Sequence, residues 1–310
     1  MTLLREPLLA AARSPRLRSV AEKSRLTRPV VDRFVAGPKE PDALRATREL
    51  VNSGLRVTLD FLGEDTSSRK QADQTVSAYV SILSALASQQ LAGQTEVSVK
   101  LSAIGQSLPG DGAQIALDGA RAICVAAQAA GTTVTIDMED HTTTDSTLGI
   151  VTELRQDFGW VGTVLQAYLK RTESDCRDLA TSGSRIRLCK GAYAEPPSVA
   201  YVSDAVEQSY VRCLNVLMAG DGYPMIATHD PLMIAAAHTA VEEHRRSADS
   251  FEFQMLYGIR PEEQQAIAAE GYQMRVYVPY GDEWYGYFMR RLAERPANLA
   301  FFLRSLTSKK

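Results

Sequence analysis

Gly131-Thr132-Thr133-Val134-Thr135-Ile136-Asp137-Met138-Glu139-Asp140 decides the fold when it is read with the residues before it. The run 114–130 is amphipathic at helical spacing. Gly131 sits where a helix closes on a left-handed residue, and 133–138 is a short, β-branched run ending on a carboxylate. The same alternation extends in both directions. Strand-like runs fall at 55–62, 96–103, 133–138, 161–169, 184–190, 224–228, 251–256 and 272–278, with helical runs at 70–91, 114–130, 146–158, 204–219, 232–245 and 261–270. Gly93, Gly222 and Gly271 stand, like Gly131, after a helical run and before a strand, as helix caps do. Strand, helix and next strand in one sheet require parallel pairing through right-handed crossovers. Such units over roughly 250 residues predict an α/β fold, a closed (β/α)8 barrel of TIM type, in preference to an open doubly wound sheet. The unit after Lys170 carries the weakest pattern.

The chain has 310 residues, 45% hydrophobic and 23% charged, with a formal net charge of −3. It is long enough for a full core, and with no dominant basic run it offers nucleic acid no footprint. We expect residues 1–54 to form a helical segment bracing the barrel and 55–310 to form the catalytic barrel with a C-terminal helix. The stretch 1–28 is arginine-rich, as presequences are, but Leu3, Leu4, Leu8, Leu9 and Ala12 keep helical spacing, so a folded helix is expected. Cys124, Cys176, Cys189 and Cys213 lack metal-site spacing, which fits reduced thiols in a cytoplasmic enzyme. No apolar run reaches the ~20 residues that cross a bilayer.

In this architecture the chemistry collects at the C-terminal ends of the strands. Lys100 and Asp137 interrupt apolar strand-like runs, where an unpaired charge is costly. Each alone is first a candidate for a structural ion pair. Together with Arg187, and with Arg290 and Arg291 in Tyr287-Phe288-Met289-Arg290-Arg291-Leu292-Ala293-Glu294, they suggest a cationic mouth for a carboxylate or a phosphate. Taken alone, that last helix reads first as a solvated charged face. No G-x-G-x-x-G opens a helix, no Walker A motif or G-x-S-x-G elbow occurs, and His141, His229, His238 and His244 make no facing zinc pairs, so no metal is expected. Gly191 after Lys190 would let backbone amides approach a pyrophosphate.

At these residues the chain resembles the proline dehydrogenase family, in its monofunctional bacterial form and as a domain of the bifunctional proline utilization protein. The resemblance rests on Arg33-Phe34-Val35-Ala36-Gly37, Leu59-Asp60-Phe61-Leu62-Gly63-Glu64, Val99-Lys100-Leu101-Ser102, Ile136-Asp137-Met138-Glu139, Gln166-Ala167-Tyr168, Arg187-Leu188-Cys189-Lys190-Gly191-Ala192-Tyr193, Ala227-Thr228-His229 and Arg290-Arg291-Leu292-Ala293-Glu294, in the family's order. It implies a distorted barrel with non-covalent FAD, oxidation of L-proline to Δ1-pyrroline-5-carboxylate by hydride transfer, and a quinone as electron acceptor. It implies that Lys100, Arg290 and Arg291 bind the substrate carboxylate, with Tyr277 against the ring, Tyr287 lining the pocket, and Glu64 pairing with Arg290 as a gate. Asp137 would orient these groups and Arg187 would lie near the reactive flavin nitrogen. Met138 and Gln166 would touch the flavin ring, Lys190, Gly191 and Ala192 its ribityl and phosphate portion, and Thr228 and His229 the rest of the dinucleotide. A separate pyrroline-5-carboxylate dehydrogenase would take the product, and contact with the inner face of the cytoplasmic membrane is implied by resemblance only. Cys189 replaces a commoner aliphatic residue, and Ala194-Glu195 stand where an aromatic is common. Oxidation of hydroxyproline or another cyclic amino acid, a cofactor-free barrel binding a small phosphorylated acid, and a non-catalytic carboxylate sensor are the competing readings.

Overall fold

A computed structural model describes residues 31–63 and 66–288. Eight parallel strands close into a barrel in sequence order: β1 (Arg56–Phe61), β2 (Thr95–Val99), β3 (Thr133–Ile136), β4 (Gly162–Gln166), β5 (Arg185–Cys189), β6 (Tyr223–Ala227), β7 (Glu252–Leu256) and β8 (Met274–Tyr280). The ring closes where Arg56 to Phe61 pair with Arg275 to Tyr280. Among the described residues, helix α1 (Glu40–Asn52) precedes β1, and the crossovers are α2 (Arg69–Ser88), α3 (Gly112–Ala130), α4 (Thr144–Asp157), α5 (Thr172–Leu179), α6 (Asp204–Ala219), α7 (Pro231–Glu243) and α8 (Pro261–Ala269). The weakly patterned unit after Lys170 is therefore real, its helix only eight residues long.

Local chemistry sets the helix ends. Ser68 accepts the Gln71 amide at the start of α2, and Asp230 accepts the Leu232 amide at the start of α7, where Pro231 has no N–H to leave unsatisfied. Gly131 ends α3 in the left-handed conformation, as its position predicts. Gly93 and Gly222 do not act as caps. Gly93 lies inside a short 3-10 turn, while α6 ends at Gly220, and a Cβ on Gly222 would come within 2.8 Å of the Ser184 carbonyl. Gly222 is small because two chain segments meet there, not because a helix turns.

The helices bury one face against the outside of the barrel. In α3, Ala116, Ala120, Ile123, Cys124 and Ala127 face Val97, Val99, Val134 and Ile136 in one continuous core. A smaller apolar cluster sits beyond the strand ends, where Val31, Phe34 and Val35 pack with Leu62, Ile259, Tyr285, Tyr287 and Phe288. Backbone bonds stitch it down: Ala36 N–H donates to Pro279 O and Gly281 N–H to Gly37 O.

Inside the ring, alternate residues point to the axis, and here much of the filling is charged. Glu96 on β2 is fully buried and meets Arg185 at 2.8 Å, Arg187 at 3.0 Å and Arg275 at 3.9 Å; Arg275 also meets Glu252 at 2.7 Å. Burial pushes the Glu96 carboxyl up, but Arg275, Arg185 and Arg187 outweigh it and hold it at about 2, against an ordinary 4.5. Because the folded value is the lower one, this stabilisation is complete above about pH 4.5 and is lost as pH falls toward 2. A depression of that size corresponds to roughly 3 kcal/mol. Glu96→Gln should therefore be less stable than the parent at neutral pH, and the gap in unfolding free energy, measured by urea titration, should narrow below pH 4.5. A gap that stays constant down to pH 2 would refute the assignment.

Candidate active site

The C-terminal end of the barrel gathers residues from five strands around one carboxylate. Asp137 follows β3 directly and is kept in the sheet by its amide, which donates to Val99 O at 2.9 Å. Its Oδ1 accepts from Arg187 Nη1 at 2.7 Å and from the Ser98 hydroxyl at 2.7 Å, and its Oδ2 accepts from the Tyr277 hydroxyl at 2.7 Å. Lys100 Nζ lies 3.9 Å from the same Oδ2 and donates to Asp60 Oδ2 at 2.7 Å. Strand alternation explains the gathering: Ser98 and Lys100 on one side, and Glu96, two residues deeper, share the inward parity of β2.

Arg187 is 4% exposed and almost fully spent on its neighbours. Nε donates to Gln254, Nη1 to Ser98 and Asp137, and Nη2 to Glu96. A guanidinium has five N–H groups, so one on Nη2 has no acceptor among the described residues. Burial disfavours the charge, yet Asp137 and Glu96 more than offset it and Arg187 stays protonated. Its Cζ lies 5.3 Å from the Tyr277 ring centroid, so the phenol is fixed both through its face and through its hydroxyl. Burial first, and Asp137 second, drive the Tyr277 hydroxyl well above its ordinary range; it is a donor here, not a base. The Asp60 carboxyl is raised by burial despite Lys100, and its Oδ1 has no hydrogen-bond partner among the described residues.

Lys100 and Arg187, two of the cations that suggest a mouth for an anion, are both paired with carboxylates of the barrel. Asp60, Glu96, Asp137 and Glu252 face Lys100, Arg185, Arg187 and Arg275 within the ring. Asp60, Glu96, Ser98 and Gln254 are partners to which the sequence alone assigns no role. Asp60 stands inside a quoted segment; Glu96 and Ser98 stand two residues apart at inward positions of β2, and Gln254 stands at an inward position of β7, a signal of shared parity that only the register makes usable.

Around this centre lie the other candidates. Gln166, 3% exposed, donates through Nε2 to Glu139 O at 2.7 Å, while the Glu139 carboxylate holds the Ser102 amide and hydroxyl. Met138 is buried. Lys190 Nζ sits between Asp230 at 2.6 Å and Glu207 at 3.0 Å. Gly191 has φ of +110°, and a Cβ there would come within 2.3 Å of the Tyr168 ring, so glycine is required both by conformation and by packing. Ala192 is half-buried. Thr228 Oγ1 accepts the Asp230 amide at 3.1 Å, and the His229 ring Nε2 accepts the Leu256 amide at 2.9 Å, which gives that histidine a structural task. Tyr287 is buried in the apolar cluster over the mouth. Glu64, Arg290 and Arg291 lie outside the described residues.

A proline dehydrogenase family model matches residues 43–304. Proline dehydrogenase 1 of Bacillus subtilis (strain 168) is 43% identical over 278 residues, covering 89% of this chain and 90% of the relative. Proline dehydrogenase of Deinococcus radiodurans is 38% identical over 307 residues, 98% of each. Among solved structures, proline utilization A from Bdellovibrio bacteriovorus, inactivated by N-propargylglycine, superposes with a TM-score of 0.79 at 24% identity over 92% of this chain. This chain spans about a third of that protein, 34%, and the likeness supports the fold. Sequence match over most of the chain, at this identity and on a barrel whose strand ends carry the expected residues, leaves one assignment: the chain belongs to the proline dehydrogenase family.

Proposed function

We propose that this enzyme oxidises L-proline to Δ1-pyrroline-5-carboxylate, with FAD held at the C-terminal strand ends and a quinone as the final electron acceptor. The observation that carries the reading is the Asp137 cluster, a donor set built before any ligand arrives: one remaining Arg187 N–H, a fixed Tyr277 ring and the Lys100 ammonium. The residues fit a flavin. An unspent N–H on a buried, protonated guanidinium suits an electron-rich ring nitrogen, and the Gly191 turn brings backbone to the rim where a side chain would collide. When bound, the flavin supplies the two-electron acceptor for the carbon–hydrogen bond next to the proline nitrogen. Met138 and Gln166 would meet its ring, Lys190, Gly191 and Ala192 its ribityl and phosphate portion, and Thr228 and His229 its remaining part.

The substrate carboxylate falls to Lys100, Arg290 and Arg291. Since the ring interior already pairs its carboxylates and cations, an added anion is best matched by the two arginines of the C-terminal segment, with Lys100 contributing a directed bond more than net charge. Glu64 would pair with Arg290 to close the site. Orientation from several such contacts can lower a barrier by about 7–11 kcal/mol in well-aligned systems. Tyr277, held at both ends, would present a stiff wall to the proline ring, and Tyr287 would line the pocket. We assign residues 1–54 to bracing the barrel, which the packing of α1 on β1 and β8 supports. Among the described residues no helix is long and apolar enough to cross a membrane, so delivery of electrons to a membrane quinone would be by peripheral contact.

The purified protein should be yellow, and anaerobic addition of L-proline should bleach the flavin bands. A colourless preparation that takes up no added FAD would reject the reading in favour of a cofactor-free binding barrel, and a yellow one that L-proline never bleaches would favour a sensor. Because the Tyr277 wall crowds an added hydroxyl, proline should be preferred over hydroxyproline as reductant by about 10–200-fold. Tyr277→Phe keeps the ring but removes its bond to Asp137. Its kcat/KM for proline should fall by about 10–100-fold; an unchanged value would show that the hydroxyl anchor is idle.

A further inference from the structure

Beyond the Asp137 cluster and the barrel interior, another buried carboxylate joins three loops of the mouth. The Glu195 side chain is 2% exposed. Its Oε1 accepts the backbone N–H of His141 at 2.9 Å and the Tyr168 hydroxyl at 3.2 Å, and its Oε2 is bonded to His141 Nδ1. Those partners follow β3 and β4, while Glu195 itself follows β5. A carboxylate removed from water is retained only where its lone pairs are met, so this one commits all three loops to a single arrangement.

What it fixes is the segment 190–195. Tyr168 N–H donates to Lys190 O at 2.9 Å, and Tyr201 N–H donates to Tyr168 O at 2.7 Å, so the loop leaves and returns across the same residue. Between those points the chain must turn at Gly191, at φ of +110°, directly against the Tyr168 ring. A glycine turn alone is the most permissive backbone in the loop. Glu195 removes that freedom from the far side, and Pro196-Pro197 after it restrict the backbone further. Each latch partner also lies within three residues of a candidate flavin contact: His141 of Met138, Tyr168 of Gln166, and Glu195 of Ala192.

We propose that Glu195, with His141 and Tyr168, is a positioning latch that presets Lys190, Gly191 and Ala192 for the cofactor and so governs how long the flavin stays bound. This deepens the flavin reading and rests on it. The test uses flavin-loaded protein diluted into flavin-free buffer, with release followed by the fluorescence of free flavin, alongside thermal unfolding of the apoprotein. Glu195→Gln should release flavin at least about tenfold faster than the parent. Tyr168→Phe and His141→Asn should show smaller increases, and Glu195→Gln combined with His141→Asn should be no faster than Glu195→Gln alone, because the pair acts as a unit. Release from Glu195→Gln at the parental rate would overturn the latch, and so would faster release that merely tracks a lower apoprotein melting temperature across the three variants. A parent protein that takes up no flavin fails earlier, before any variant is compared, and defeats the flavin reading itself.

Discussion

Charge inside a closed ring of strands must be met inside that ring. Water cannot reach Glu96, Glu252 or Arg275, and the barrel supplies partners for each, from the neighbouring strand for Glu252 and from across the ring for Glu96. The deep layer, Glu96 with its three arginines, orients Arg187 from below, and Asp137 takes the same guanidinium from above. Arg187 is thus the rivet between a purely structural layer and the layer that faces ligand. Replacing such a network by apolar residues could give an equally stable barrel, so stability alone does not explain it. It gives direction instead, leaving one N–H of a rigid guanidinium without an acceptor among the described residues.

This arrangement changes how the mouth should be understood. A cluster of bare cations would attract any anion and discriminate poorly. A compensated cluster offers shaped donors, a lysine whose ammonium is already tied to Asp60, and an aromatic wall that Arg187 and Asp137 hold from two sides. Selectivity would then come from geometry, with the long-range attraction for a carboxylate falling, in the proposed reading, to Arg290 and Arg291. The family assignment accords with that division, since a small cyclic amino acid must be recognised by its ring as well as by its charge.

Much of the fold was legible because the barrel repeats one unit: a helix end such as Gly131, a β-branched run, then a polar residue at the strand end. That last position singles out Lys100, Asp137 and Arg187, and the structure brings Arg187 onto Asp137 with Lys100 3.9 Å away; the interest of Tyr277 comes from the family resemblance. What the sequence withheld was pairing across strands. Nothing in Thr95-Glu96-Val97 tells that Glu96 would meet arginines 89 residues and more away, or that Asp60 is the counter-charge of Lys100; both depend on register and on closure of β1 with β8. In the sequence Gly191 suggests an opening for a phosphate, yet the Tyr168 ring is also pressed against it. Gly222 suggests a cap and is instead a close contact. Local pattern announces where the chain turns, and only packing explains which neighbour made the turn necessary.

The claim on which the account stands is that Asp137 and Arg187 work as one preorganised unit. A double-mutant cycle on the anaerobic rate of flavin reduction by L-proline tests it most directly, using Asp137→Asn, Arg187→Gln and the combined variant. The account predicts strong non-additivity, with the combined variant little slower than the slower of the two single variants. Rate losses that multiply would mean that the two side chains act independently, and would contradict it.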